Sequence, residues 1–192
     1  MEKILWQACI DGDLEAVKKL ADDPAVDLNW SNVKSGRTPL FCACSFGRTS
    51  VVEYLMGNSR VDAMKPDSKG ATPFFVACEN GHKELVSLLL ADPRIDPNKA
   101  ENDGTTPFSV ASQTGHKEVV LLLLADPSID LNKADNDGFT PFYVACQEGH
   151  KEVVSLLLGD PRIDPNKPRD VGATPFYIAC QHGYKEVINA VG

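Results

Sequence analysis

Apolar residues in this chain fall in two short blocks separated by polar punctuation, and the alternation recurs. In TPFFVACENGHKELVSLLLADPRIDPN, residues 72–98, a first apolar block follows Thr72-Pro73, and Gly81 divides it from a second. Leu85, Val86, Leu88 and Leu89 stand at i, i+1, i+3 and i+4, the spacing of a wide apolar helix face. Thr72 suits a helix N-cap, and Pro73 suits the first helical position, where its missing N–H is not needed. The pattern predicts a helix over 74–80 ended by Gly81 at C′, and a second helix over 82–90. Asp92-Pro93 stops the second, because proline cannot continue the ladder and the residue before it avoids the α region. Residues 94–98 read as extended. Residues 99–104 read as a turn-rich tip, with Asn102-Asp103-Gly104 its strongest signal.

Thr-Pro stands at Thr38, Thr72, Thr106, Thr140 and Thr174, every step 34 residues. Gly12, Gly47, Gly81, Gly115, Gly149 and Gly183 mark a second beat, whose first step is one residue longer because of an insertion in the loop over 31–37. The chain therefore divides into six repeats, approximately 1–35, 36–69, 70–103, 104–137, 138–171 and 172–192. No repeat can bury its own apolar face. Stacked copies about 10 Å apart share a continuous core. Leu122, in the second apolar block of the fourth repeat, is expected in that core. In the first repeat Ile4 and Leu5 take the Thr-Pro place, and Asp13, Glu15, Lys18 and Lys19 bring charge to the second helix. In the last, the triple-leucine block becomes Ala190, Val191 and Gly192. Both ends read as polar or small-residue caps; the alternative is a native chain that continues past Gly192.

The pattern DGxTPFxxACxxGHKEVVxLLL, followed by IDxN, resembles the ankyrin repeat over essentially the whole chain. The resemblance implies an all-α repeat solenoid forming one domain over 1–192: an elongated, slightly curved stack of antiparallel helix pairs. Hairpin-like tips would project from one edge, and the first helices would line a concave face. The chain departs from the family at its usual TPLHxAA, where the His is replaced by Phe41, Phe75, Ser109, Tyr143 and Tyr177, and in a period of 34 rather than 33.

Charge and chemistry narrow the function. A net charge of −8 and a pI near 4.9 argue against tracking a nucleic-acid backbone or an anionic membrane surface. No apolar run is long enough to cross a bilayer, and MEKILWQACIDGDLEAVKKL lacks the uninterrupted apolar block of a secretory signal, so the chain reads as cytoplasmic or nuclear. Cys9, Cys44, Cys78, Cys146 and Cys180 each lie three residues before a repeat glycine, and only Cys42 is off the pattern. One slot copied along a stack keeps neighbours beyond the roughly 7 Å disulfide limit, so these read as small buried thiols. His82, His116 and His150 open the second helices and are too far apart to share a metal; His182 stands in a variable slot. No catalytic or phosphate-binding motif occurs, and the chain reads as a non-enzyme without cofactor or metal. For Asn98, Asn132 and Asn166 of the IDxN run, the resemblance implies possible asparaginyl hydroxylation; the competing reading is a side chain satisfying its own loop.

Constant letters build the stack, so a partner is specified by exposed letters that change. They gather in the tips and in the pair before each glycine. The candidates at the tips are Trp30, Arg37, Asn102, Asp103, Asp137 and Phe139. Those beside the glycines are Phe46, Glu79, Asn80, Gln113, Gln147, Glu148 and Gln181. Tyr143 and Tyr177 in the family's His slot either join them or pack against the next repeat. Phe46 and Phe139 are expected to be exposed and Phe75 packed. Glu101, Asp103, Asp135, Asp137 and Glu148 make the middle of the array acidic, and Lys167 and Arg169 mark the last tip. The expected function is non-covalent recognition of another protein by a monomer. The alternative is a spacer segment of a longer scaffold.

Overall fold

The computed structural model describes residues 1–169 and 172–191, with side chains to residue 189. The described residues form twelve helices: α1 (Glu2–Asp11), α2 (Leu14–Ala21), α3 (Pro39–Ser45), α4 (Thr49–Met56), α5 (Pro73–Glu79), α6 (Lys83–Leu90), α7 (Pro107–Gln113), α8 (Lys117–Leu124), α9 (Pro141–Glu148), α10 (Lys151–Leu158), α11 (Pro175–His182) and α12 (Lys185–Val191). The described residues contain no strand, so residues 94–98, expected to be extended, are built from turns instead. The chain forms two compact units, Met1–Asp96 and Pro97–Gly192. In the first, α3 packs between α1 and α5, and α4 between α2 and α6. In the second, α9 packs between α7 and α11, and α10 between α8 and α12.

The Thr-Pro pair starts each first helix as its chemistry predicts. The hydroxyls of Thr38, Thr72, Thr106 and Thr140 accept the N–H of Phe41, Phe75, Ser109 and Tyr143, each at 3.1 Å. Such a cap is worth about 1 kcal/mol. The first repeat lacks the threonine. Its helix runs ten residues from an N-cap, Met1, that makes no side-chain bond. Counted back from Gly12, Lys3-Ile4 hold the Thr-Pro place, one residue before the pair expected.

The second helices bury Leu85, Val86 and Leu89 in α6, and Val119, Val120 and Leu123 in α8. Leu122, expected in the core, is only half-buried, as is Leu88. At 100° per residue, positions i, i+1 and i+4 cluster on one face, and i+3 falls about 100° from its centre.

Histidine departs from expectation too. His82 and His150 precede their helices as N-cap residues without capping them. Their rings reach back to the preceding repeat, placing Nε2 3.1 Å from the Ser45 carbonyl oxygen and 2.8 Å from that of Gln113. Arg48 holds the same slot and donates from Nε to the Ile10 carbonyl at 2.8 Å. The repeat glycine is required twice over. Gly115 has φ +77, and a Cβ on it would lie 2.6 Å from the His150 ring.

The loops are locked between repeats. The amide of Asn132 donates from Nδ2 to the Arg162 carbonyl at 2.7 Å and accepts the Asp164 N–H at 2.9 Å. Asn98 does the same to Ser128 and Asp130, and Asn29, which sequence comparison passed over, to Arg60 and Asp62. These asparagines satisfy the next repeat's loop rather than their own. Asn166 is exposed. Arg94 and Arg162 extend from the loops to the carbonyls of Met56 and Leu124, and are held by Asp92 and Asp160 at 2.7 and 2.6 Å. The hydrogen bond from Arg162 lowers the Asp160 carboxyl to a pKa of about 2.

The small-thiol slot is buried at Cys9, Cys44, Cys78 and Cys146, as predicted, and Cys42 off the pattern is buried as well. Cys180 is exposed. So are Phe176 and Tyr177 on the same helix, whereas their counterparts Phe142, Tyr143 and Cys146 are covered, α11 being packed against their helix. The last repeat's first helix is therefore not capped by smaller residues. The capping expected at Ala190, Val191 and Gly192 lies outside the described side chains.

Candidate functional site

In the first compact unit the candidate residues are only partly free. The Arg37 guanidinium lies 5.1 Å from the Phe41 ring centroid, and its Nε is 3.7 Å from a carboxylate oxygen of Asp67 in the next tip. Trp30 is half-buried. Phe46 caps the end of α3 and is 51% exposed, as its sequence position predicts. Glu79 and Asn80 are exposed at the end of α5, and Asn80 donates from Nδ2 to the Val76 carbonyl at 2.9 Å.

In the second compact unit the tips and helix ends converge. Asp103, Gln113, Asp137, Phe139 and Gln147 line one groove of about 200 Å³, together with Thr105, Ser109, Asp135 and Val144. Each tip is closed by its own backbone: the N–H of Glu101 donates to Thr105 and that of Asp135 to Phe139, at 3.0 and 3.1 Å. The Asp135 carboxylate also accepts the N–H groups of Asp137 and Phe139, fixing the turn. Neighbouring tips are joined by the Asn136 N–H, 2.9 Å from the Asp103 carbonyl, and by its side-chain amide, 3.1 Å from that of Asn102. The groove wall is thus preorganised by hydrogen bonds that need no ligand. Among the described residues none of Asp103, Asp135 and Asp137 pairs with a basic side chain.

Two candidates are corrected here. Tyr143 is 2% exposed and packs edge-on against Phe139 at 5.2 Å, so it supports the surface from beneath and offers a partner nothing. Phe139 is half-buried rather than exposed, because Arg169 stacks 4.2 Å from its ring centroid. Asn102 and Glu148 are exposed, as are Gln181 and Tyr177 on α11. Thr105, Ser109, Asp135 and Val144 line the groove without having been candidates, and Ser109 is the most distinctive of them. It is the one non-aromatic side chain in a slot held otherwise by Phe41, Phe75, Tyr143 and Tyr177, so the signal was present.

The described residues contain no group of three or more His, Cys, Asp or Glu able to hold a metal ion, and none of their helices is long and apolar enough to cross a membrane. What remains is a preformed, polar, acidic surface with an aromatic wall. A sequence model described as ankyrin repeats, three copies, matches residues 5–101, 56–135, 94–169 and 129–191. The chain belongs to the ankyrin repeat family. A solved ankyrin repeat structure, the crystal structure of EF0377, is similar at a TM-score of 0.88 and 24% identity, covering 100% of this chain and 97% of that one. At that identity the likeness speaks to the fold. Ankyrin repeats are in general protein–protein interaction modules, and here the residues that vary from repeat to repeat line the groove and the tips.

Proposed function

We propose that this ankyrin chain is a non-enzymatic recognition module that binds another protein through its tips and the ends of its first helices. The observation that carries the reading is the groove of the second compact unit, where Asp103, Gln113, Asp137, Phe139 and Gln147 meet on a surface held by its own hydrogen bonds. Little ordering is required of such a surface on binding, so more of the interaction energy appears as affinity. Phe46 and Tyr177 stand exposed as aromatic anchors of the kind enriched in interface hot spots. The module acts as a monomer in the cytoplasm or nucleus, where free thiols persist.

Crosslinking mass spectrometry on partners retained by the intact chain tests this. Crosslinks are expected at Lys99, Lys133 and Lys167, which flank the tips. The double substitution Phe46→Ala with Gln147→Arg is expected to lower capture at least tenfold with an unchanged melting temperature. A partner set unaffected by these substitutions and crosslinked only along the second helices refutes the reading.

A further inference from the structure

We infer that the groove lined by Ser109 is a receptor for one basic side chain, a lysine or arginine carried by the protein partner. The inference rests on the reading above that a protein binds this surface, and it adds what that protein must present.

The groove lies where a ring is missing. Phe41, Phe75 and Tyr143 fill the equivalent slots and are all buried. Ser109 leaves the space beside it open, lined by Phe139, Val144, Gln113 and Gln147. Ser109 itself is 3% exposed. Its backbone N–H donates to the Thr106 hydroxyl, which leaves the Ser109 side chain free to face the groove it lines. A donor in that groove can reach its hydroxyl.

Charge selects the donor. Asp103, Asp135 and Asp137 line the groove, and among the described residues no basic side chain pairs with them. Arg169 lies against Phe139 without lining the groove. Three carboxylates and, among the described residues, no basic side chain line the groove itself, so it repels an acidic occupant and attracts a basic one. The walls suit the same choice. A lysine or arginine stem can lie along Phe139 and Val144 while its head stays among the carboxylates, and the Ser109 hydroxyl accepts a hydrogen bond from it. The Phe139 ring already carries one guanidinium at 4.2 Å, which shows its face to be compatible with that group.

Selection of a phage-displayed random dodecapeptide library on the full chain tests the inference, followed by affinity measurements on synthetic copies of the enriched peptides. The enriched peptides should share a lysine or arginine at one position. Replacing it with norleucine or citrulline should weaken binding at least tenfold. Ser109→Phe, which refills the slot with its neighbours' ring, should weaken it as much. The pair Asp103→Asn and Asp137→Asn should also weaken binding and flatten its salt dependence. If Ser109→Phe fails to fold by circular dichroism, Ser109→Ala and the aspartate pair carry the test. Peptides that bind this face without needing a basic residue, or that bind Ser109→Phe equally well, overturn the inference and leave the interaction-module reading intact. Absence of any enrichment overturns the inference, and the module reading is then judged by the crosslinking experiment. Peptides that enrich but ignore every tip and groove substitution overturn both.

Discussion

Leu123 and Leu122 are adjacent leucines with different fates, and exchanging each for alanine measures the phase of the stack directly. Leu123 is fully buried on α8, which packs against α7 and α10; Leu122 is half-buried. Leucine to alanine removes three carbons, and at about 0.8 kcal/mol per buried carbon the transfer loss at Leu123 is about 2.4 kcal/mol. A cavity in a layer bounded by neighbouring helices adds to this, so Leu123→Ala should cost about 3–4 kcal/mol. At Leu122 part of the surface is already in water and any gap is open to solvent, so the cost should be about 1.5–2 kcal/mol. Urea denaturation followed by circular dichroism reads both, provided the slope of the transition is unchanged. In a cooperative transition the melting temperature of Leu123→Ala should fall by about 6–16 °C. Equal costs, or a larger cost at Leu122, would mean that α8 is rotated from the orientation described and that the repeat's buried face is misassigned.

Other expectations follow from single interactions. Gly115→Ala should destabilise by more than Gly183→Ala: both have positive φ and lose about 1–2 kcal/mol for it, but a methyl on Gly115 also meets the His150 ring, whereas Gly183 has nothing within 4 Å. Equal melting temperatures for the two variants would remove the ring contact as a reason for the glycine. In the native protein one thiol, Cys180, should react rapidly with a disulfide reagent, while burial protects the other five and raises Cys9 and Cys146 to about 12. More than one fast thiol contradicts the burial of the other five. Asp160 should titrate near 2 by carbon NMR, and Arg162→Ala should return it towards the ordinary carboxylate value of 3.8. A depressed folded-state pKa gives stability that is present above 3.8 and is lost as pH falls towards 2, so Arg162→Ala should remove that part of the acid sensitivity.

Most of the fold was legible because it is written locally and repeatedly. Thr-Pro at the helix start, glycine at its end and the apolar spacing between them are short-range rules, and 34-residue copying shows that they are rules rather than chance. The partner surface was legible in part. The variation of Asp103, Gln113, Asp137, Phe139 and Gln147 between repeats marked them, but that they line one groove depends on the separation of α7 and α9, and periodicity contains no such distance.

By itself the sequence determined the helix pairs, their boundaries to within a residue or two, and the slots that build the stack. The tertiary structure decided everything that depends on a neighbour. Tyr143 is buried and Tyr177 exposed although both stand in the same slot, because α11 packs against the helix that carries the first. Asn132 and Asn98 look like loop residues that satisfy themselves, yet they bind the loop of the following repeat. Ser109 reads as a neutral exchange for an aromatic residue until the space it leaves is bounded by Phe139 and the carboxylates of Asp103, Asp135 and Asp137. The physical reason is common to all three. Backbone propensities act within a few residues, whereas exposure, hydrogen-bond partners and cavities are set by side chains some 34 positions away.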